Sequence, residues 1–239
     1  MRFNPRSLLH KRFALAGVVL AIVAALIVGV IIASGGDSNA DSDTAVVPTE
    51  TPAPSATPEP TLEPSPTPIP VVPGTDAGDR IVIEKAKVNA PISLKVVPPN
   101  GGALPSPNGP DDVAFYDFKN FQGIGGYPGS GGRIVLSGHV DYGSGPCKNG
   151  TVPPPCTAVF WDLSDLKEGD MIELRLSNGV HRYRVTGSEN IGPTNQGKWD
   201  QVWNSTPEET IALITCGGDF NRQTHEYSTR HVVYGERVT

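Results

Sequence analysis

Ile211-Ala-Leu-Ile-Thr-Cys216 is followed at once by Gly217-Gly218. The run is apolar, has the character of a buried strand, and ends on a thiol. The two glycines carry no Cβ, so they let the chain turn sharply and let another backbone approach the sulfur. A lone cysteine in a β core is most often structural, but the strings around this one point to chemistry. Ser137-Gly-His139-Val-Asp141 lies roughly eighty residues upstream, and Arg230 stands fourteen residues downstream in Thr229-Arg-His-Val-Val-Tyr234. Together they offer a thiolate nucleophile, a proton carrier and a cationic partner for a tetrahedral oxyanion.

His139 follows Ile134-Val-Leu-Ser, which places it just past a strand, where side chains emerge at a barrel rim. His10, His181, His225 and His231 read as ordinary surface or core histidines. Arg222 and Arg237 are rivals for the cationic role, the first in an expected loop and the second at the chain end. A planar, always-charged guanidinium suits the role better than a lysine.

This order and these strings resemble the sortases, cysteine transpeptidases of bacterial cell surfaces. Ser137-Gly-His-Val-Asp141 and Thr215-Cys-Gly-Gly-Asp-Phe220 look most like the class F or class E-like branches. The resemblance covers roughly residues 79–239. It implies that Cys216 is the nucleophile, and that His139 protonates the leaving amine and then takes a proton from the incoming one. It implies that Arg230, on the last strand, faces the cysteine and binds the oxyanion. Where a related branch reads Y-R-D-N-V-V, this chain has Tyr227-Ser-Thr-Arg-His-Val-Val233, which shifts the arginine relative to the tyrosine. Thr215 and Ser137 are expected to support the site, Thr215 by lining the groove, whereas Asp141 reads as a turn former. The segment with Trp199 and Trp203 is expected to build the groove wall, either as an exposed platform or as the segment's own core. No cofactor and no metal are implied.

The implied activity is cleavage of a sorting peptide resembling L-P-x-T-G or L-A-x-T-G, thioester formation on Cys216, and transfer to a wall-precursor or pilin amine. An L,D-transpeptidase would show S-x-G-C-x-R, and Leu213-Ile-Thr-Cys216-Gly has no glycine before its cysteine. A papain-like protease would place its cysteine before its histidine. A tethered, non-catalytic β-domain would leave Cys216 inert.

The rest of the chain fits a β-rich domain. Expected strands are Arg80–Ile83, Ala90–Leu94, Val113–Tyr116, Arg133–Ser137, Ala158–Asp162, Met171–Leu176, Val180–Gly187, Thr210–Thr215 and His231–Val238. Asn178-Gly179 predicts a tight hairpin of type I′, with positive φ at both residues. Short helical turns are expected near Phe118–Phe121, Ser164–Leu166 and Asp200–Asn204. The fold class is therefore all-β, a closed eight-stranded barrel as in the sortases.

The front of the chain differs. Ala14–Ser34 is 21 residues without a charge, long enough to cross a hydrocarbon core of about 30 Å. Arg2, Arg6, Lys11 and Arg12 precede it and no basic residue follows closely, which places residues 1–13 in the cytoplasm and the domain outside. A cleaved signal peptide ending near Ser38-Asn-Ala40 is the competing reading, but its apolar core should be shorter. Residues 35–78 hold ten prolines between Pro48 and Pro73 and read as a disordered, semi-stiff spacer. The expectation is a single-pass membrane protein with residues 79–239 as the extracytoplasmic catalytic domain. A net charge of −6 with no basic patch argues against nucleic acid as a partner. Cys147 and Cys156 bracket eight residues, which suits an extracytoplasmic disulfide. That spacing does not suit a zinc knuckle with Cys216 and His139.

Overall fold

The computed structural model describes residues 2–3, 71–142 and 156–238. Residues 14–34, the expected membrane span, lie outside them, as does the expected spacer up to Pro70. Among the described residues no helix is long and apolar enough to cross a membrane. From Val71 the chain is already packed. Val71 and Val72 lean on the core, and the Gly74 amide donates to Asp79 Oδ2 at 2.8 Å.

Eight strands form the barrel: β1 (Arg80–Ile83), β2 (Val88–Val96), β3 (Val113–Asp117) and β4 (Gly131–Gly138), then β5 (Met171–Leu176), β6 (Gly179–Ile191), β7 (Thr210–Asn221) and β8 (Glu226–Val238). Their hydrogen-bonded order is β7-β8-β6-β5-β1-β2-β3-β4, and β4 pairs back to β7 to close the ring. The β2–β3 and β4–β7 pairs are parallel and the rest antiparallel. A two-residue strand, Arg2–Phe3, pairs with Gly102–Ala103.

Side-chain alternation sorts the core. On β5, Ile172, Leu174 and Leu176 point in while Glu173 and Arg175 face outward. β4 and β7 are buried on both faces. Ile134, Leu136, Ile211 and Leu213 fill the barrel, whereas Val135, Ala212 and Ile214 face a second cluster outside it. A strand covered on both sides reads as a continuous apolar run, which is why residues 211–215 show no alternation. The outer cover is helix α1 (Gln196–Trp203), capped by the Asn195 side chain, which accepts from the Lys198 amide. Trp199 and Trp203 stack at 5.2 Å and are 3% and 0% exposed. They hold α1 against the barrel and are no exposed platform.

Several expectations need correction. Ala158–Asp162 is a turn leading into a 3-10 helix at Leu163–Asp165, not a strand. Its amides bond within the turn or to the Val140, Pro110 and His139 carbonyls, and Phe160 anchors it in the core. Residues 118–121 form only a turn. The helical turn expected at 200–204 is the end of the longer α1. The β5–β6 hairpin exists, but its two-residue turn is Ser177–Asn178, and only Gly179 (φ 128°) has positive φ. Cys216 does not end its strand either. β7 runs on to Asn221 through a register shift between Gly217 and Phe220. Gly218 sits there at φ 75°, and a Cβ would meet Ser228 Oγ at 2.3 Å.

Candidate active site

Barrel closure places the three expected site residues. Antiparallel pairing of β7 with β8 sets Cys216 directly opposite Arg230. On the other flank, the parallel β4–β7 register ends at Ile214↔Ser137. Two residues further along, the chain leaving β4 brings His139 level with Cys216. Thr215 locks this junction, its buried Oγ1 donating to the Gly138 carbonyl at 2.9 Å. Ser137 serves the same end, since its Oγ and Tyr116 Oη are 2.8 Å apart in the core. Both hydroxyls are committed to backbone or core partners.

Cys216 is half-buried and is the free cysteine among the described residues. The Arg230 guanidinium is held by main-chain carbonyls, Nη1 donating to Thr229 O at 2.9 Å and Tyr227 O at 3.2 Å. A cation anchored in this way keeps the rest of its fork for an incoming anion. The rivals are elsewhere. Arg222 is exposed in the β7–β8 turn. Arg237 lies seven residues further along β8, over the Tyr183 ring and 3.8 Å from Glu209. The His139 ring meets the Tyr142 ring edge-on at 5.2 Å, and its carbonyl accepts from the Phe160 amide.

Three residues without an expected catalytic role complete the arrangement. Tyr227 Oη donates to Asp141 Oδ2, while the Tyr227 carbonyl accepts from Arg230. One tyrosine thus ties the segment after His139 to the arginine. Asp141 sits on a short strand, Asp141–Tyr142, paired with Cys156–Thr157. Trp161, 44% exposed, lines the cavity of about 460 Å³ beside Cys216. Nothing local marked Trp161 or the Asp141 bond.

Burial raises the Cys216 thiol above its ordinary 9.0, with Arg230 pulling it down and Asp141 adding to the rise. Burial lowers His139 below its ordinary 6.5, opposed by Asp141 and Asp112. Near neutral pH the resting pair is therefore thiol and neutral imidazole. The pair with both groups ionised, thiolate and imidazolium, is a minor form of constant population between the two limbs. The kcat/KM profile should be a bell with its acid limb below 6.5 and its alkaline limb above 9.0. The Asp141 charge raises both groups, so Asp141→Asn should move both limbs to lower pH. Limbs that stay in place would show that this carboxylate does not reach the pair.

The closed β-barrel thus carries at one rim a thiol on one strand, an arginine across from it and a histidine just past the end of the parallel neighbour. The sortase domain family matches residues 81–238, and the chain belongs to that family. Sortase A of Staphylococcus aureus (strain NCTC 8325 / PS 47) is 27% identical over 79 residues, which is 33% of this chain and 37% of that protein's length. A Clostridium perfringens sortase D5 transpeptidase structure aligns with TM-score 0.47 at 18% identity, covering 71% of this chain and 83% of the other. Sortase C-1 from Actinomyces oris gives TM-score 0.47 at 22% identity, covering 67% and 73%.

Proposed function

We propose that this chain is a membrane-anchored cysteine transpeptidase acting on sorting peptides of the L-P-x-T-G or L-A-x-T-G type, with the finer class nearest F or E-like. The observation that carries the reading is the register that pairs Cys216 with Arg230 while β4 delivers His139 to the same level. The Cys216 thiolate attacks the threonine carbonyl. A C–S bond forms, and the carbonyl electron pair moves to oxygen beside Arg230. Collapse of that intermediate breaks the C–N bond to glycine, and His139 gives its proton to the departing amine. An incoming amine then attacks the thioester. The new C–N bond forms as the C–S bond breaks, the pair returns to sulfur, and the amine's surplus proton goes to His139. Incubating the full chain with a sorting-peptide library, with mass spectrometry of intact protein, tests this. An acyl adduct on Cys216 is expected, and its absence with every peptide would sink the reading.

Anchoring is read from Ala14–Ser34 and the basic residues before it, with residues 35–70 as the spacer that holds the barrel off the membrane. In an anchored chain the Arg2–Phe3 pairing with Gly102–Ala103 is released, since the two segments then lie on opposite membrane faces. Protease protection of an N-terminal tag in sealed vesicles checks the orientation.

A Cys147–Cys156 disulfide belongs to the same reading. Its support is the short spacing of the pair in a domain read as extracytoplasmic, with Cys216 free and Cys147 outside the described residues. Closing a loop of this size contributes on the order of 2–3 kcal/mol. Reduction should lower the melting temperature by several degrees. Activity should fall only modestly, because the bond supports the short strand of Asp141 and none of the three site residues. Non-reducing peptide mapping decides it, and a disulfide containing Cys216 in active protein would refute it.

A further inference from the structure

The cavity beside Cys216 lies on one particular face of the sheet. Cys216 and Arg230 alternate onto the face that carries Ile214, Val232 and Ile191, the residues beneath α1. Thr215, His231 and Asn190 alternate onto the opposite face, toward the barrel interior. His231 and Asn190 both line the cavity. The His231 ring is 9% exposed, and its Nδ1 is 3.0 Å from Asn190 Oδ1. An amide oxygen only accepts, so Nδ1 carries the proton and Nε2 presents a lone pair. That Nε2 is buried and has no partner among the described residues. Burial keeps the ring neutral by lowering its pKa.

A buried lone pair of this kind calls for an N–H or O–H donor from a ligand. The cavity walls suggest which donor. Among the described residues they carry no cationic side chain, and Trp161 and Tyr227 supply aromatic surface. Acceptors and aromatic faces without a cation suit an ammonium group and the amine it releases. Gly217 keeps the route open. A Cβ there would come within 3.1 Å of His231 Cβ and 3.4 Å of Asn190 Oδ1, crowding the His231–Asn190 pair.

We infer that this cavity seats the primary amine that resolves the Cys216 acyl-enzyme, with His231 Nε2 accepting a hydrogen bond from the amine N–H and Asn190 holding the imidazole in that tautomer. The inference rests on the reading of Cys216 as the acyl-carrying nucleophile. It assigns donor and acceptor to opposite faces of one strand pair, so that the amine enters from the barrel mouth while the peptide occupies the α1 side.

The test uses the full chain, a sorting peptide that acylates it, and either triglycine or Nα-acetyl-lysine amide as the amine. The readout is the ratio of transfer product to hydrolysis product at increasing amine concentration. His231→Phe should lower that ratio at least tenfold and raise the amine concentration needed for half-maximal transfer. His231→Gln, which keeps an acceptor near the same place, should recover most of it. Gly217→Ala should lower the ratio as well, and it gives a second reading if His231→Phe does not fold. An unchanged ratio in His231→Phe or Gly217→Ala, or a His231→Gln as poor as the phenylalanine variant, overturns the assignment. If wild-type Cys216 forms no thioester at all, the nucleophile reading falls and this one falls with it.

Discussion

Cys216→Ala is expected to yield a folded barrel that forms no acyl adduct and cleaves no sorting peptide above background. Covalent catalysis divides a difficult acyl transfer into two easier steps, and the methyl group left behind can perform neither. The fold should survive because the sulfur is only half-buried, while β7 is held by backbone pairing to β4 and β8 on both sides. Loss of one partly buried sulfur costs about 1 kcal/mol, so the melting temperature should stay within a few degrees of wild type. Circular dichroism with peptide turnover decides the matter. Wild-type cleavage by a folded Cys216→Ala would remove the nucleophile assignment altogether.

Arg230→Ala should be almost as damaging, for an electrostatic reason. On the proposed mechanism the oxyanion forms where β7 and β8 lie side by side, and Arg230 is the cation across from Cys216. Loss of one such donor costs about 3–4 kcal/mol in the transition state, or roughly two to three orders of magnitude in acylation rate. Arg230→Lys should restore little, because an ammonium cannot hold two main-chain carbonyls and still present a planar fork. Arg222→Ala should be near neutral, because its side chain is exposed in the turn. Single-turnover acylation of the four proteins gives the comparison. Full activity in Arg230→Ala beside a dead Arg222→Ala would transfer the role to the turn.

Local pattern carried much of this architecture. Arg80–Ile83 and Met171–Leu176 were legible to the residue, because each alternates or runs apolar between turn signals. Strand length was not. Residues 216–221 have little β propensity as a run and are extended because Glu226–Arg230 pair with them across the bulge. Only the end of helix α1 was legible, because Gln196-Gly-Lys-Trp is a poor helix former in isolation. It forms through its Asn195 cap and by burying two tryptophans four residues apart. Phe160 and Trp161 read as part of a strand because an apolar run alone does not distinguish a strand from an anchored turn. Cys216, His139 and Arg230 were visible through their flanking strings. The Tyr227–Asp141 bond spans 86 residues and the His231–Asn190 pair 41, and no local string encodes either.

The parallel contact between β4 and β7 has a temporal consequence. The Thr215–Gly138 bond that secures it joins positions 77 residues apart, and such distant segments meet late, after their loop entropy has been overcome. Until that seam closes, the thiol has only the guanidinium opposite it on the β7–β8 pair and no imidazole at its level. On the proposed reading, a barrel still open at this seam holds a nucleophile without its proton carrier.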